Sequence, residues 1–402
     1  MEQKYDVVVI GGGPIGGYLS RRFNEFGHSV LIVEEHDEIG RPFQCAGLVN
    51  PESMKKVNLE KSILKEIWGA RIHSPSGIPV IIGNSDRIRT MAVCRKIFDE
   101  GVVLQALNSG SDILLSSKPN SVVINNDRVN ISIKTPEGIK SVETKLLCGA
   151  DGAHSWVRRM FRMGRPKEMM IGFQIEVTGY KGEEGRLDMY TGRDIAPGYF
   201  AWAIPSGETT RIGTWTRADL LNGFSCEDLM NRLRDKELWK DRFENITEIG
   251  RFVGPVPSGF VKKPLIERVA LFGDAAGVCK PTTGGGIGPG FKQVDILVPK
   301  LSESIKNDDL SLYKMTKYSK LLKGMVSDQK RKRGLRDAFL TESSDDELNQ
   351  IFSVWSRPEV IDLINEVGEI ENPIPLGLRM LKEIPEFRRL AGKAAKALIW
   401  GS

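Results

Sequence analysis

The first 34 residues contain the pattern that most narrows the fold of this chain. Positions 5–10 are rich in β-branched residues and predict a buried strand, and five glycines follow within positions 11–17. Residues 18–26 then have apolar positions at helical spacing, and residues 29–33 predict a second strand that is closed by Glu34. A strand, a helix and a second strand in so short a stretch form a β-α-β unit, which requires a parallel sheet.

The glycines of this unit fit the spacing G-x-G-x-x-G at Gly11, Gly13 and Gly16. In such a motif the first glycine makes a tight turn, the second lets the backbone approach a pyrophosphate, and the third packs the helix against the strand. A carboxylate at the end of the second strand accepts hydrogen bonds from ribose hydroxyls. The residues predicted to bind a dinucleotide are Gly11, Gly13, Pro14, Ile15, Gly16, Glu34 and Glu35.

A second glycine-rich stretch lies far along the chain. A predicted strand at 268–271 leads into Gly-Asp and then into a loop with three consecutive glycines, which opens a helix. Glycine in a loop costs conformational entropy, so the cluster indicates backbone that lies close against a ligand. Pro289 and Pro299 predict an irregular start to the helix. The candidate binding residues of this stretch are Gly273, Asp274, Pro281, Gly284, Gly285, Gly286 and Ile287.

Two more motifs complete a resemblance to known proteins. Positions 95–99 match R-x-x-F-D, and positions 149–158 match G-A-D-G-x-x-S-x-V-R. With the two glycine clusters, in this order, they resemble the flavoproteins that include the aromatic hydroxylases and, more closely, the geranylgeranyl reductases. The resemblance implies FAD as the cofactor, with the Gly-Asp element at the ribityl chain and the later glycine loop at the flavin ring. It adds Arg95, Asp151 and Gly152 to the cofactor-binding residues.

Two segments resemble the geranylgeranyl reductases in particular. Residues 38–42 with 45–48 are similar to the loop after the second strand, where a cysteine of that family approaches the flavin. Residues 197–205 are similar to the P-x-x-Y-x-W-x-F-P motif of the isoprenoid pocket, with Phe200 in place of its tyrosine and Ile204 in place of its phenylalanine. The resemblance implies Arg41, Cys45, Ala46 and Gly47 at the flavin and Cys45, Phe200 and Trp202 as catalytic residues.

The resemblance implies a FAD-dependent reductase that saturates the isolated C=C bonds of geranylgeranyl chains, above all in the digeranylgeranylglyceryl phospholipids of archaeal membrane lipid biosynthesis. Reduced flavin supplies a hydride to one alkene carbon, and Phe200 and Trp202 form walls of an apolar tunnel. The implied partners are an isoprenoid lipid substrate and an electron donor, either ferredoxin or NAD(P)H. Two alternatives stay open: a FAD-dependent monooxygenase of an aromatic or polyketide-like substrate, and a non-catalytic flavin-bound lipid carrier or electron-transfer partner.

Composition excludes several other classes of protein. The 57 Lys and Arg residues against 52 Asp and Glu leave a net charge of +5, which is too weak to indicate a nucleic-acid partner. Five cysteines without a C-x-x-C pair argue against a metal site and against a disulfide framework. We expect no signal peptide and no apolar stretch of the ~18 residues that span a bilayer. These features predict a cytoplasmic protein, with peripheral contact at the inner face of the cell membrane.

Three features are not explained by the motifs. Cys45 and Cys279 lie in two loops that the resemblance places at the flavin, and we hypothesise that they form a redox-active pair. The basic residues 330–333 with Arg336 predict either a solvated helix face or a site for phospholipid head groups. Residues 390–400 mix lysine with alanine, leucine, isoleucine and tryptophan, a pattern compatible with an interfacial helix.

The predicted fold class is α/β, with a Rossmann-like FAD-binding domain of the aromatic-hydroxylase type. Alternating patterns between 122 and 215 predict a hairpin and a second, antiparallel sheet, and helical periods dominate after residue 310. The predicted parts are a discontinuous FAD-binding domain (1–70, 88–165 and 265–305), an antiparallel-sheet substrate domain (71–87 and 166–264), and a C-terminal helical region (306–402).

Overall fold

The structure is a computed structural model and describes residues 3–42, 45–125, 127–368 and 374–390. Within these ranges the strands are β1 (Gln3–Ile10), β2 (Val30–Val33), β3 (Leu48–Val49), β4 (Ile63–Ile67), β5 (Gly69–His73), β6 (Pro79–Ile82), β7 (Thr90–Val93), β8 (Asp112–Leu114), β9 (Lys118–Ile124), β10 (Val129–Thr135), β11 (Gly138–Gly149), β12 (Glu168–Thr178), β13 (Arg186–Tyr190), β14 (Ala201–Ser206), β15 (Thr209–Arg217), β16 (Thr247–Ser258), β17 (Leu265–Ile266) and β18 (Val269–Leu271). The helices are α1 (Pro14–Glu25), α2 (Pro51–Val57), α3 (Arg95–Asn108), α4 (Trp156–Met160), α5 (Cys226–Asp235), α6 (Lys240–Phe243), α7 (Ile287–Lys306), α8 (Leu312–Ser319), α9 (Lys323–Arg336), α10 (Asp345–Trp355), α11 (Pro358–Val367), α12 (Ile374–Glu383) and α13 (Pro385–Leu390).

The N-terminal β-α-β unit lies at the centre of an eight-stranded sheet. The strand order is β17-β18-β11-β1-β2-β8, and the β9–β10 hairpin extends the sheet beside β11. Strands β18, β11, β1, β2 and β8 are parallel, with Val9 opposite both Ile32 and Cys148. Both faces are covered: Val7 and Val9 pack against α1 and α7, and the alternate residues of β1 pack against the hairpin and α4. The predicted Rossmann-like sheet is confirmed.

A seven-stranded sheet forms the second layer, with the order β16-β12-β15-β14-β13-β5-β6. Its pairs are antiparallel apart from β13 with β5. Alternation along β12, β14 and β15 sends one set of side chains to α5 and α6, where Ile175, Ala201 and Ile212 are buried. The other set, which includes Trp202 and Trp215, lies on the opposite face. The predicted antiparallel sheet is therefore confirmed, and that opposite face carries the candidate site described below.

Helices make up most of the described chain after residue 310, as predicted. The last four of them, α10 to α13, share a small apolar cluster that includes Val354, Val360 and Phe387. The prediction of an irregular start to α7 is wrong, since the helix is continuous from Ile287 to Lys306. Pro289 lies in the first turn, where a backbone N–H has no helical partner in any case, so its missing donor costs nothing there.

The basic segment 330–333 is only partly a solvated helix face: Lys330 and Arg331 are exposed, and the other basic side chains are inside the protein. Lys332 is 6% exposed, Arg333 4% and Arg336 3%. Arg333 and Arg336 pair with Glu168 of β12, and Lys332 pairs with Asp328. Both sequence-based interpretations of this segment are therefore wrong for these three side chains. The predicted interfacial helix at 390–400 falls almost wholly outside the described residues.

A membrane-spanning helix was not expected, and among the described ranges no helix combines the length and the apolar character needed to cross a bilayer.

Candidate active site

The turn between β1 and α1 leaves open space at the start of the helix. Gly11 has a φ of +105°, and a side chain there would overlap the carbonyl oxygen of Ala150. Gly13 is the N-cap of α1 in an extended conformation without a side-chain cap, and a Cβ on it would have no atom within 4 Å. Pro14 then occupies the first helical position. Uncapped N–H groups facing open space form a site for an anion.

Glu34 closes this turn from the end of β2. Its side chain is 8% exposed, and one carboxylate oxygen accepts the Gly12 N–H at 2.6 Å. The other oxygen accepts the His36 N–H at 3.0 Å and lies 2.6 Å from Nδ1 of the same residue. Glu35 behaves differently: its carboxylate is exposed and paired with Lys118 at 2.8 Å, which lowers the pKa of Glu35. The two acids predicted together at this site are therefore not equivalent.

Asp151 follows β11 at the same edge of the sheet. One of its carboxylate oxygens accepts the Val157 N–H at 3.0 Å, and the other is buried without a hydrogen-bond partner among the described residues. Burial raises the pKa of this carboxyl. The next residue, Gly152, has a φ of +70° and open space where a Cβ would stand. The open space at Gly152 therefore leaves room for a ligand group next to this buried carboxyl.

Asp274 is the corresponding acid of the second glycine-rich stretch. It is held by a buried turn in which Gly273 donates its N–H to Gln293 Oε1 at 3.0 Å. The thiol of Cys279 donates to Asp274 Oδ1 at 3.0 Å, and a Cβ on Gly286 would stand 2.8 Å from that oxygen. Burial raises the pKa of Asp274. Gly286 is also the uncapped N-cap of α7, so a second helix start faces the same region.

The loop between Asp274 and α7 touches the second sheet. Pro281 is buried, and its carbonyl accepts from Arg336 Nη1 at 3.1 Å. A Cβ on Gly284 would stand 3.1 Å from the Trp215 ring, and one on Gly285 would stand 2.9 Å from Lys280 Cε. Close backbone approach of this kind explains the glycines. The loop predicted at the flavin ring therefore lies between the two sheets.

The Cys45 loop reaches this junction from the other side. Cys45 is half-buried, and its sulfur accepts the Gly47 N–H at 3.3 Å. The Arg95 side chain lies beside it and binds both oxygens of Asp99, at 2.9 and 2.7 Å. Burial, the neighbouring Asp274 and then Cys45 raise the pKa of Cys279. Both predicted cysteines are free thiols, and their redox pairing stays a hypothesis.

Arg41 lies apart from these groups. Its side chain is 59% exposed and lines an open cleft of about 540 Å³ with His36 and with residues 251–253 of β16. The cleft adjoins Glu34 through His36. The structure therefore brings Arg41 to the edge of the candidate site rather than into it.

Two buried polar side chains hold the Cys45 loop, and neither is among the residues predicted from the sequence. Gln174 of β12 donates from Nε2 to the Cys45 carbonyl at 3.5 Å and accepts from Trp202 Nε1 at 3.1 Å. Arg211 of β15 is 3% exposed and donates from Nη1 to the carbonyls of Ala46 and Val93, at 3.0 and 3.1 Å. In the sequence, these two residues could have been found as polar residues at positions of a buried strand whose side chains face inward.

An aromatic cluster lies next to this loop. The rings of Phe200 and Trp202 are 6.3 Å apart, those of Phe200 and Trp215 are 5.6 Å apart, and those of Tyr199 and Trp215 are 4.8 Å apart. Tyr199 is 1% exposed, and its hydroxyl has no hydrogen-bond partner among the described residues. Burial raises its pKa, and Arg336 lies over its ring at 4.7 Å. Phe200 and Trp202 are half-buried parts of this cluster, which we call the aromatic wall, and their catalytic role stays a prediction.

Comparisons with known proteins agree with this geometry. The family described as FAD binding domain matches residues 4–316. The digeranylgeranylglycerophospholipid reductase of Methanosarcina acetivorans is 31% identical over 327 residues, which are 78% of this chain and 79% of that protein. The reductase of the same name from Methanocaldococcus jannaschii is 27% identical over 387 residues, 94% of this chain and 98% of that protein.

Solved structures show the same fold. A geranylgeranyl bacteriochlorophyll reductase-like protein from Thermoplasma acidophilum has a TM-score of 0.87 at 23% identity, with 98% of this chain and all of that chain covered. A flavin-dependent brominase has a TM-score of 0.73 at 18% identity. The chain belongs to the FAD binding domain family, within it to the geranylgeranyl reductases, and its cofactor is FAD.

Proposed function

We propose that this protein is a FAD-dependent oxidoreductase that saturates the isolated C=C bonds of geranylgeranyl chains, with digeranylgeranylglyceryl phospholipids as its substrates. The observation that carries the proposal is the hydrogen-bonded chain from Trp202 through Gln174 to the Cys45 carbonyl. It joins an apolar aromatic wall to the loops that meet the cofactor. Relatives that carry the name of this reaction align over most of the chain.

The residues present fit FAD. Open space at Gly13 and Gly152, the unpartnered oxygen of Asp151 and two uncapped helix starts are what a pyrophosphate and a polyhydroxyl chain require. We leave Glu35 out of the binding set because its carboxylate is paired with Lys118 at the surface. Arg41 is left out as well, because its exposed side chain lies at the edge of the site. The proposed binding residues are Gly11, Gly13, Pro14, Ile15, Gly16, Glu34, Cys45, Ala46, Gly47, Arg95, Asp151, Gly152, Gly273, Asp274, Pro281, Gly284, Gly285, Gly286 and Ile287.

When bound, reduced FAD supplies the hydride that adds to one alkene carbon. Phe200 and Trp202 hold the isoprenoid chain and exclude water, which matters because an isolated alkene has no carbonyl through which to spread charge. Cys45 holds a proton at Sγ for the second carbon. Gln174 and Arg211 orient this loop through its carbonyls, so they act as positioning residues.

The partners and the location are part of the proposal. The substrate is an isoprenoid lipid, and the electron donor is ferredoxin or NAD(P)H. A substrate of this kind places the protein at the cytoplasmic face of the membrane as a peripheral protein. We also propose the division into a FAD-binding domain, a substrate domain and a helical region at the boundaries predicted from the sequence.

Anaerobic reoxidation tests the proposal directly. Protein reduced with dithionite should be reoxidised by a geranylgeranyl phospholipid in detergent, with a mass increase of two hydrogens for each bond in the product. The variant C45A should lower this rate about tenfold or more with its FAD content unchanged, since general acids contribute at least that much. The variant C226A, which changes a buried cysteine of α5 outside the site, is the matched control.

The outcomes separate the alternatives. Substrate-dependent oxygen uptake with an aromatic compound, without reoxidation by the lipid, would establish a monooxygenase instead. Reduced protein that neither substrate reoxidises would indicate a lipid carrier or an electron-transfer partner.

A further inference from the structure

The outer side of α8, together with the turn that joins it to α9, carries apolar side chains in contact with solvent. Three of them are exposed by 56%, 75% and 46%, namely Leu312, Tyr313 and Leu321. The inner side is buried against α7 and β17 through Met315, Tyr318 and Leu322. The Tyr318 hydroxyl lies 2.8 Å from Ser304 Oγ and anchors that inner side. Helix α8 and the turn after it therefore pack against the rest of the protein through one side only.

Lysines surround the exposed apolar residues without compensating acids. Residues 310–327 contain four lysines and no Asp or Glu. The flanking acids are already engaged: Asp309 lies 3.5 Å from Lys314, and Asp328 lies 2.7 Å from Lys332. The other three lysines, Lys317, Lys320 and Lys323, have no carboxylate partner within the described part of the chain. We define the α8–α9 face as Leu312, Tyr313, Lys317, Lys320, Leu321 and Lys323.

The spacing places these side chains together. Tyr313 and Lys317 are four residues apart within α8, which makes them neighbours on one side of that helix, and Leu321 follows in the 3-10 turn of residues 320–322. Exposed aromatic and leucine side chains flanked by lysines are the composition of a helix that lies in the interface of a membrane. The apolar groups enter the boundary between head groups and acyl chains, and the ammonium groups reach the phosphates.

Other occupants fit this face less well. A stable protein interface needs about 20 residues from each side, whereas only three apolar side chains are exposed here. A second copy of the chain would bring three more uncompensated lysines to the contact, so it would be repelled. Residues 391–402 contain two lysines and no acidic side chain, so they add positive charge as well. An anionic lipid surface is the partner whose charge is complementary.

We propose that the α8–α9 face docks the protein on an anionic lipid surface. This deepens the proposed function and rests on it for one point only, that the substrate is a membrane lipid. It also assigns lipid contact to this face rather than to the basic segment 330–333 with Arg336, in which Lys332, Arg333 and Arg336 are buried.

Vesicle flotation of the full FAD-loaded chain tests this face. The wild type should float with vesicles of 30% phosphatidylglycerol in phosphatidylcholine, bind pure phosphatidylcholine weakly, and lose binding in 1 M NaCl. The variant K317Q/K320Q/K323Q should bind the anionic vesicles about a hundredfold more weakly, since each of the three lysines near the surface contributes a factor of about five. Y313S/L321S should reduce binding to both lipid compositions, because it removes the apolar contact.

A matched control removes three exposed lysines elsewhere. K61Q/K134Q/K262Q has the same net charge as the test variant and should bind like the wild type. Equal binding of the two triple variants, or absence of wild-type binding to anionic vesicles, would overturn the proposal. A wild-type dimer that the test variant dissociates would also overturn it, by assigning the face to self-association. Lipid reduction in detergent is measured in parallel, so that failure of the proposed function is seen separately from failure of docking.

Discussion

At the scale of single residues, the candidate site depends on positions where a side chain is either absent or unexpectedly polar. Gly213 of β15 is one of them, because the Trp202 ring lies directly over it and a Cβ would overlap that ring. Trp202 then reaches Gln174 and, through it, the Cys45 loop. The orientation of the Trp202 ring is therefore set by Gly213, against which the ring packs, and by the Gln174 side chain, which accepts the indole N–H.

Replacement of that glycine should displace Trp202. We expect G213V to raise KM for the lipid about tenfold or more while FAD stays bound, because overpacking of this kind costs about 1–3 kcal/mol. Steady-state kinetics and tryptophan fluorescence measure the two effects. G172A in the neighbouring β12 is the control, since a Cβ there meets only ordinary contacts at 3.7 Å. Unchanged KM in G213V would refute the role given to the ring.

Arg211 offers a second test at this scale. R211Q removes a guanidinium that donates to Ala46 and Val93, so the Cys45 loop should loosen. We expect a loss of about 2–4 kcal/mol in unfolding free energy and a fall in kcat larger than the change in KM. R211K should restore part of the kcat, and R128Q, which breaks a pair with Asp308 at the β9–β10 hairpin, should change neither kcat nor KM. A purely structural role would lower stability without altering the absorbance spectrum of the bound flavin.

At the scale of elements, one buried ion cluster joins the C-terminal helices to the site. Arg333 and Arg336 of α9 bind Glu168 at the start of β12, and Arg336 also donates to the Pro281 carbonyl in the glycine loop. Burial alone would raise the pKa of Glu168, but the two guanidinium groups outweigh it and lower that pKa from 4.5 to about 2. Helix α9 therefore positions the glycine loop through Arg336, and the pair that holds Arg336 requires an ionised Glu168 carboxylate.

This cluster predicts an acid-sensitive contribution to stability. A carboxyl with a depressed folded pKa contributes fully above its unfolded value, so the contribution of Glu168 is complete above about pH 4.5 and is lost as the pH falls towards 2. E168Q should lower the unfolding free energy by about 3 kcal/mol at pH 7, and the gap from wild type should close in acid. Urea titrations at several pH values measure it.

The matched control is E227Q, which breaks the exposed pair with Arg251. An exposed pair contributes about 1 kcal/mol or less, so this variant should show little pH-dependent difference. A gap between E168Q and wild type that stayed constant between pH 5 and 3 would contradict the assigned pKa.

At the scale of the whole molecule, the proposed FAD-binding residues come from distant parts of the chain. The turn at Gly13 belongs to β1 and α1, Asp151 follows β11, Asp274 precedes α7, and Cys45 is held by the second sheet. Because these groups belong to different elements, bound FAD links the two sheets. Its binding free energy therefore adds to the stability of the folded chain.

Removal of FAD should lower the melting temperature. At free FAD a thousandfold above Kd, mass action contributes about 4 kcal/mol, which corresponds to about 5 °C for a chain of this length. Calorimetry of the apoprotein at increasing FAD concentration measures the shift. Riboflavin should stabilise less, because it lacks the pyrophosphate and adenosine that Gly13 and Glu34 are expected to meet. A melting temperature independent of FAD would contradict the proposed binding residues.

Local patterns in the sequence were enough to predict the β-α-β unit, the two sheets and a bound dinucleotide, because glycine spacing and strand periodicity are properties of short segments. The resemblance to known flavoproteins then implied FAD. Glu34 was predicted from the same local information, and Phe200 and Trp202 from the resemblance to the geranylgeranyl reductases. The distinction between Glu34 and Glu35 did not, since it depends on Lys118 of a distant strand. Likewise, the composition of residues 330–333 predicted a surface segment. The burial of Arg333 could not be predicted from it, because its partner Glu168 lies 165 residues away in the sequence.

The sequence by itself thus determined the fold class and FAD, because the backbone conformations that bind a dinucleotide are encoded in consecutive residues. The tertiary structure decided which polar side chains serve the site. Three of these side chains find their hydrogen-bond acceptors only when strands and helices far apart in the chain are packed together, namely Gln174, Arg211 and Arg336. A buried donor needs such an acceptor, and only the fold supplies it.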